Sequence, residues 1–252
     1  MYWRRIFMEG NKLYDLLHDQ DEQLTNDPEL KEIMKNYLYN DVYQHGSLDL
    51  KLRQLILIVV DTTNHTLNTL KEHVIGAINA DVDPVSIKEA VYQCIPYVGL
   101  GKVEDALDVI NQVFVSKNIA LPLEKQGTVT LDTRFKKGFD VQSEAFGRKN
   151  IQANHDNAPA ELKHIQDYLS AYCFGDFYTR NGLTLATREL LTVVMLASLG
   201  GCENQLRAHV QANLTVGNTR DMLLETITQC QPYIGFPRTL NAIAIINEIT
   251  NK

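Results

Sequence analysis

Residues 202–209 read CENQLRAH and concentrate side chains that could do chemistry. On an α-helix, positions i, i+3 or i+4, and i+7 share a face, so Cys202, Gln205, Leu206 and His209 line up. Residues 66–73 repeat the pattern with Thr66, Thr69, Leu70 and His73. A helical histidine is often only a satisfied packing residue, but a polar stripe ending in histidine here occurs twice. Imidazole titrates near neutral pH and so suits proton transfer. An arginine precedes each stripe by one helix: Arg53, followed by Gln54, and Arg188, followed by Glu189. Near a helix start such an arginine is also an ordinary ion-pair partner. Cys202 and His209 lie about 10 Å apart along a helix axis, and no HxxE or HxxxH pair adds ligands, so no metal site is expected. GLGK at 99–102 lacks the spacing of a phosphate loop.

The elements that must position these residues come in two copies. QCIPYVG at 93–99 and QCQPYIG at 229–235 are 136 positions apart, as are His73 and His209, Glu89 and Glu225, and Tyr97 and Tyr233. Nearer the start of each unit the offset is 135, as for Arg53 and Arg188 or Leu48 and Leu183. One residue has been gained between arginine and histidine in the second copy, and the pattern is an internal repeat. Each copy reads as helices. Ser47 is placed to cap a helix over LDLKLRQLILIVVDTT, and Thr184 one over LATRELLTVVMLASL. The histidine helices cover about 66–80 and 203–216. Asp83-Pro84 and Thr219 open the next helices. In each QCxPYxG stretch proline interrupts the helix and glycine frees the turn into a last amphipathic helix. Tyr97 and Tyr233 are candidate pocket residues, or half-buried packing residues. The stretch 120–139, with Pro122, Gly127, Gly138 and the alternation TVTLDTRF, reads as a linker with one strand pair. The expected organisation is all-α and tandem: 1–119, the linker 120–139, and 140–252.

The chain has 252 residues, 44% apolar and 22% charged, with a formal net charge of −7. That composition supports a folded core. An acidic chain without a Lys/Arg cluster is a poor candidate for binding nucleic acid or an anionic membrane. The longest apolar run, ILIVV, is far short of a membrane span, and MYWRRIFMEGNKLYDLL is not built as a signal peptide. Four scattered cysteines without a CxxC pair fit a reducing, cytoplasmic setting. Cys94 and Cys230 read as small packing residues.

FGDFYTRNGLTLATRELLTVVMLASLGG at 174–201, QLRAHVQANLTVGNT at 205–219 and QCQPYIGFPRTLNAI at 229–243 resemble the carboxymuconolactone decarboxylase-like family, which includes the alkylhydroperoxidase D group. LDLKLRQLILIVV, LKEHVIGAINADVDP and QCIPYVGLGKVEDAL resemble it more loosely. The resemblance implies a tandem duplication of an alkylhydroperoxidase D-like helical unit, each with a central antiparallel helix hairpin. It also implies a homo-oligomer, a trimer of fused pairs mimicking a six-domain ring.

Within the family, the peroxidase-like branch uses a CxxCxxxH helix with a disulfide relay. Here Cys202 holds the first cysteine position and Gln205 the second, and copy one has Thr66 and Thr69. A relay needs two sulfurs within bonding reach, so it cannot form within this helix. A one-cysteine peroxidase using Cys202, with a thiol pKa lowered by its helix-start position, is one alternative. The decarboxylase branch needs no cofactor. The resemblance then assigns Arg188 to the substrate carboxylate and His209 to protonation, with Glu189 and Glu203 orienting or recharging the histidine. Arg53 and His73 form a second site or a remnant. Gln205 stands where this branch often has glutamate, and an amide cannot carry a proton. The expected function is a cofactor-free decarboxylase or related lyase or isomerase on a small carboxylated or lactone-type metabolite. The other alternative is a non-catalytic small-molecule binding or assembly protein.

Overall fold

A computed structural model describes residues 2–19 and 26–250. Thirteen α-helices run through it: α1 Tyr2–Leu17, α2 Pro28–Asn36, α3 Leu50–Asn64, α4 Leu67–Asn79, α5 Pro84–Tyr92, α6 Ile95–Val98, α7 Leu100–Ser116, α8 Arg134–Phe146, α9 Arg148–Asp156, α10 Lys163–Tyr168, α11 Leu185–Leu199, α12 Glu203–Thr215 and α13 Arg220–Thr250. Wider π-helical turns at Tyr37–Val42 and Leu169–Tyr178 precede the two central hairpins, α3–α4 and α11–α12. None of the described helices is long and apolar enough to cross a membrane.

The two hairpins meet back to back. α3 is buried continuously from Arg53 to Thr63, and α11 from Arg188 to Ser198. A helix apolar around most of its circumference must be packed on all sides, and here α3 and α11 pack on each other as well as on their own hairpin partners. One hydrophobic core therefore runs through both copies, from Ile56 and Val60 to Val193 and Ile246. The QCxPYxG stretches turn at their glycines as expected, but proline does not interrupt the helix in copy two, where Pro232 keeps helical backbone angles within α13. Gly99 (φ 90°, ψ 159°) ends α6, and Gly235 (φ 74°, ψ 163°) bends α13 in the middle. Both lie where L side chains are strained.

Two local expectations are corrected. Ser47 does not cap α3. Asp49 does, accepting from the Lys51 amide at 2.9 Å. The amides of Ser47 and Leu48 are instead claimed by the Glu225 carboxylate of the second copy, at 2.7 and 2.8 Å. Thr184 does cap α11, accepting from the Thr187 amide. The stretch 120–139 contains no strand. Its alternating residues have no partner strand, a turn closes between Thr130 and Arg134 (2.9 Å), and α8 starts at Arg134. α8 then packs along Leu169–Tyr178 and against α12. Gly138 permits the first contact, since a Cβ there would meet the Ser170 carbonyl oxygen at 1.9 Å.

The copies are tied crosswise by ion pairs and amides. Glu89 of α5, only 1% exposed, accepts from Arg188 of α11 at 3.0 Å and from Arg180 in a bidentate clamp at 2.9–3.0 Å. Gln93 exchanges hydrogen bonds with Arg188, at 3.2 Å to its guanidinium and its carbonyl. In the mirror arrangement, Gln229 of the second copy accepts from Arg53 of the first at 2.8 Å. Removing one member of a buried ion pair strands the other. Glu89→Ala is therefore expected to cost about 3–5 kcal/mol in urea unfolding at neutral pH. Glu225→Ala, which removes a half-buried acceptor of backbone amides, should cost about 1–3 kcal/mol.

Candidate active site

The second-copy site begins with two facing helices. α11 presents Glu189, fully buried, and α12 presents His209, 8% exposed. His209 Nδ1 and Glu189 Oε2 are 2.7 Å apart. The other carboxylate oxygen, Oε1, is buried with no hydrogen-bond partner among the described residues. Asn213, one turn beyond the histidine, donates to the backbone carbonyls of both His209 (2.7 Å) and Glu189 (3.0 Å), which fixes the helices in register. A carboxylate on Nδ1 selects the tautomer that leaves Nε2 to exchange a proton. His209 Nε2 makes no hydrogen bond to a described residue. Phe146 of α8 stands edge-on to the imidazole at 5.0 Å between ring centres, and Tyr97 of the first copy at 5.9 Å.

Tyr97 belongs to a buried hydroxyl chain. Its Oη lies 2.8 Å from Tyr178 Oη, which lies 2.5 Å from Thr192 Oγ1, and the Cys173 thiol donates to Tyr97 at 3.8 Å. Burial, reinforced by Cys173 and Glu189, pushes both phenols well above their usual pKa. They stay neutral and serve as hydrogen-bonding groups, not as bases.

The first-copy site uses a different carboxylate. Asp61, 1% exposed, lies 2.5 Å from His73 Nδ1. His73 Nε2 lies 3.1 Å from Tyr233 Oη, so the second copy's tyrosine closes the array. Thr66 and Thr69 donate to the other Asp61 oxygen at 2.6 and 2.9 Å. Gln54, the counterpart of Glu189, turns away and donates to Tyr43 Oη at 2.8 Å. Asp61 is absent from the sequence-based candidates. Its signal was a single carboxylate ending the apolar run ILIVV inside a buried helix, a position that demands a partner.

Tyr97 and Tyr233 thus reach the histidines, each from the opposite copy. Arg188 does not present its fork to a substrate. Its Nη2 donates to Glu89 and to the carbonyls of Arg180 and Asn181, and its Nη1 to Gln93. Arg53 is likewise committed, to Leu48, His45 and Gln229. A fully buried guanidinium has to be neutralised where it stands, so the fold uses these groups to join its halves. Glu203 and Gln205 point to solvent at the start of α12 and reach neither the histidine nor its carboxylate by a hydrogen bond. Cys202 precedes α12, but its thiol pKa is raised, not lowered, by burial first and by the adjacent Glu203. It donates to the Leu196 carbonyl at 3.2 Å. Among the described residues no group of three or more His, Cys, Asp or Glu side chains is arranged to hold a metal ion.

All four cysteines are free. Burial holds the Cys94 and Cys230 thiols far above the usual range and pushes Cys173 up to about 12. Only Cys202 is partly exposed. Titration of the native protein with an aromatic disulfide reagent at pH 8 should therefore modify one thiol promptly. All four should react in denaturant. The Cys202 rate should climb about tenfold per pH unit through pH 8, because a raised pKa keeps the thiolate a minor form there.

The model of the carboxymuconolactone decarboxylase family matches twice, over residues 28–112 and 163–248. Each match spans a histidine helix and its QCxPYxG segment. The 4-carboxymuconolactone decarboxylase of Acinetobacter baylyi is 32% identical over 118 residues, 47% of this chain and 87% of the relative. The relative is therefore about as long as one repeat. The paired matches, the all-helical fold and the repeated carboxylate–histidine unit show that this chain belongs to the carboxymuconolactone decarboxylase family, as a tandem two-copy member.

Proposed function

We propose that the protein is a cofactor-free acid–base enzyme, a decarboxylase or related lyase or isomerase, acting on a small carboxylated or lactone-type metabolite. The observation that supports this most is the buried Glu189–His209 pair. When carbon dioxide leaves such a substrate, the electron pair passes into the substrate's own conjugated acceptor. The remaining need is a proton delivered to carbon. His209 supplies it from Nε2, and Glu189 stabilises the imidazolium and holds the ring. The water-poor surroundings strengthen that pairing. The family relationship and the name of the Acinetobacter baylyi relative support the same reaction class.

One contrast favours copy two as the working site. His209 Nε2 makes no hydrogen bond to a described residue, whereas His73 Nε2 is bonded to Tyr233. The thiol alternative gains no support from Cys202, whose raised pKa and missing second sulfur both oppose relay chemistry. The test is turnover of a panel of carboxylated lactones, followed by carbon dioxide release and by solvent deuterium incorporation at carbon. His209→Ala should lower kcat/KM by roughly 10²–10⁴-fold. Glu189→Gln should lower it less and shift its pH profile, while His73→Ala keeps most of the activity. Cys202→Ser should be active. Loss of turnover in Cys202→Ser with retention in His209→Ala would refute this assignment.

A further inference from the structure

The two repeats are not equivalent everywhere. Lys88 of α5 is 7% exposed, an unusual place for an ammonium. Its counterpart 136 positions later is Leu224. The shared fold therefore accepts a leucine at this register, and the fold alone gives no reason for the charge. Lys88 Nζ has three hydrogens to donate. It donates to Asn111 Oδ1 and otherwise faces the Phe114 ring, 5.7 Å from its centre. The carboxylate charge that acts on it is that of the exposed Asp108, and no hydrogen bond joins the two. Burial accordingly pulls the Lys88 pKa down. A buried ammonium with donors to spare is costly unless something accepts from it.

Lys88 lines a cavity of about 460 Å³ between α5, the start of the connecting segment and Arg180. That volume suits a small organic molecule. Arg180 is held rigidly: its Nε and Nη2 clamp Glu89, and its guanidinium carbon lies 5.4 Å from the centre of the Tyr92 ring. Its Nη1 makes no hydrogen bond to a described residue. Glu89, the one buried acid in the wall, is already neutralised by two arginines, Arg180 and Arg188. Lys125 and Glu124 on the connecting segment offset each other. The inner wall thus carries excess positive charge, although the chain as a whole is acidic. Val85, Tyr92, Leu121 and Leu123 supply apolar surface beside it. The connecting segment is pinned across the opening by the Asn181 amide on the Gln126 carbonyl (3.0 Å) and the Thr128 hydroxyl on the Thr179 carbonyl (2.8 Å).

We propose that this cavity is a binding site for a small organic anion. Its carboxylate or phosphate head sits between Lys88 Nζ and Arg180 Nη1, and its apolar body lies against Tyr92, Val85 and Leu123. The site shares no residue with either histidine array, so it stands or falls independently of the acid–base assignment. It also exists in one repeat only, because Leu224 replaces the lysine in the other.

The test is isothermal titration of the full-length protein at low ionic strength with three single-ring compounds: benzoate, phenyl phosphate and neutral benzyl alcohol. At least one anion should bind saturably and benzyl alcohol should not. The stronger of benzoate and phenyl phosphate identifies the head group. Lys88→Met should weaken anion binding by roughly tenfold or more, the effect of losing a charge-assisted hydrogen bond. It should leave the unfolding temperature unchanged or raise it. If Lys88→Met does not fold, Asn111→Asp provides the second arm: an internal carboxylate then occupies the ammonium and should weaken anion binding to a similar degree. The proposal is overturned if neither anion binds the wild-type protein. It is equally overturned if binding persists undiminished in whichever of the two variants folds, as it would for binding at a histidine site.

Discussion

The structure depends on a buried charge contact between its two halves. Arg188 has no exposed surface, and an unpaired guanidinium in that position would be prohibitive. Glu89 of the other repeat neutralises it, with Arg180 closing over the same carboxylate. Satisfying that contact brings α5 of the first repeat against α11 of the second. The mirror contact, Arg53 with Gln229 and Glu225 with the amides before α3, does the same from the other side. The repeats are thereby held as an internal pair around one shared core.

The crosswise arrangement explains the twice-used QCxPYxG segment. Its glutamine engages the arginine of the opposite repeat. Four residues later, its tyrosine stands against that repeat's histidine. Two residues beyond the tyrosine, Gly99 or Gly235 bends the chain, so the last helix can return to its own repeat. Each candidate site therefore contains residues of both copies, and neither half holds a complete one.

The same frame has accommodated two different proton arrangements. In copy two the carboxylate comes from the position after the arginine, Glu189. In copy one that position is Gln54, and the charge has moved along the helix to Asp61. Thr66 and Thr69 then donate to the second oxygen of Asp61, while the second oxygen of Glu189 has no partner among the described residues. The first array is closed by Tyr233. In the second, the tyrosine is drawn aside into a hydroxyl chain with Tyr178 and Thr192, which leaves Nε2 without a hydrogen bond to any described residue. In copy two Asn213 of α12 also ties that helix to α11 through the Glu189 carbonyl.

By itself the sequence determined the repeat, its offsets, the helix hairpins and the register of both histidines. These follow from local rules: helical periodicity, caps, and the backbone limits of proline and glycine. It could not decide which residues those histidines would meet. Glu189 and Asp61 lie seven positions apart in aligned register, yet each faces a histidine, because hairpin packing and not spacing along one helix sets the pairing. Arg188 had the right chemistry for a substrate carboxylate, but the tertiary structure buries it against Glu89. Ser47 had the right chemistry for a cap, but Glu225 claims its amide. The aligned cysteine at the start of α12 had the right position for an activated thiol, but burial and Glu203 outweigh the helix terminus. In each case the side chain's local capacity was legible, and a partner more than ten residues away in sequence, or the loss of water around it, decided its use.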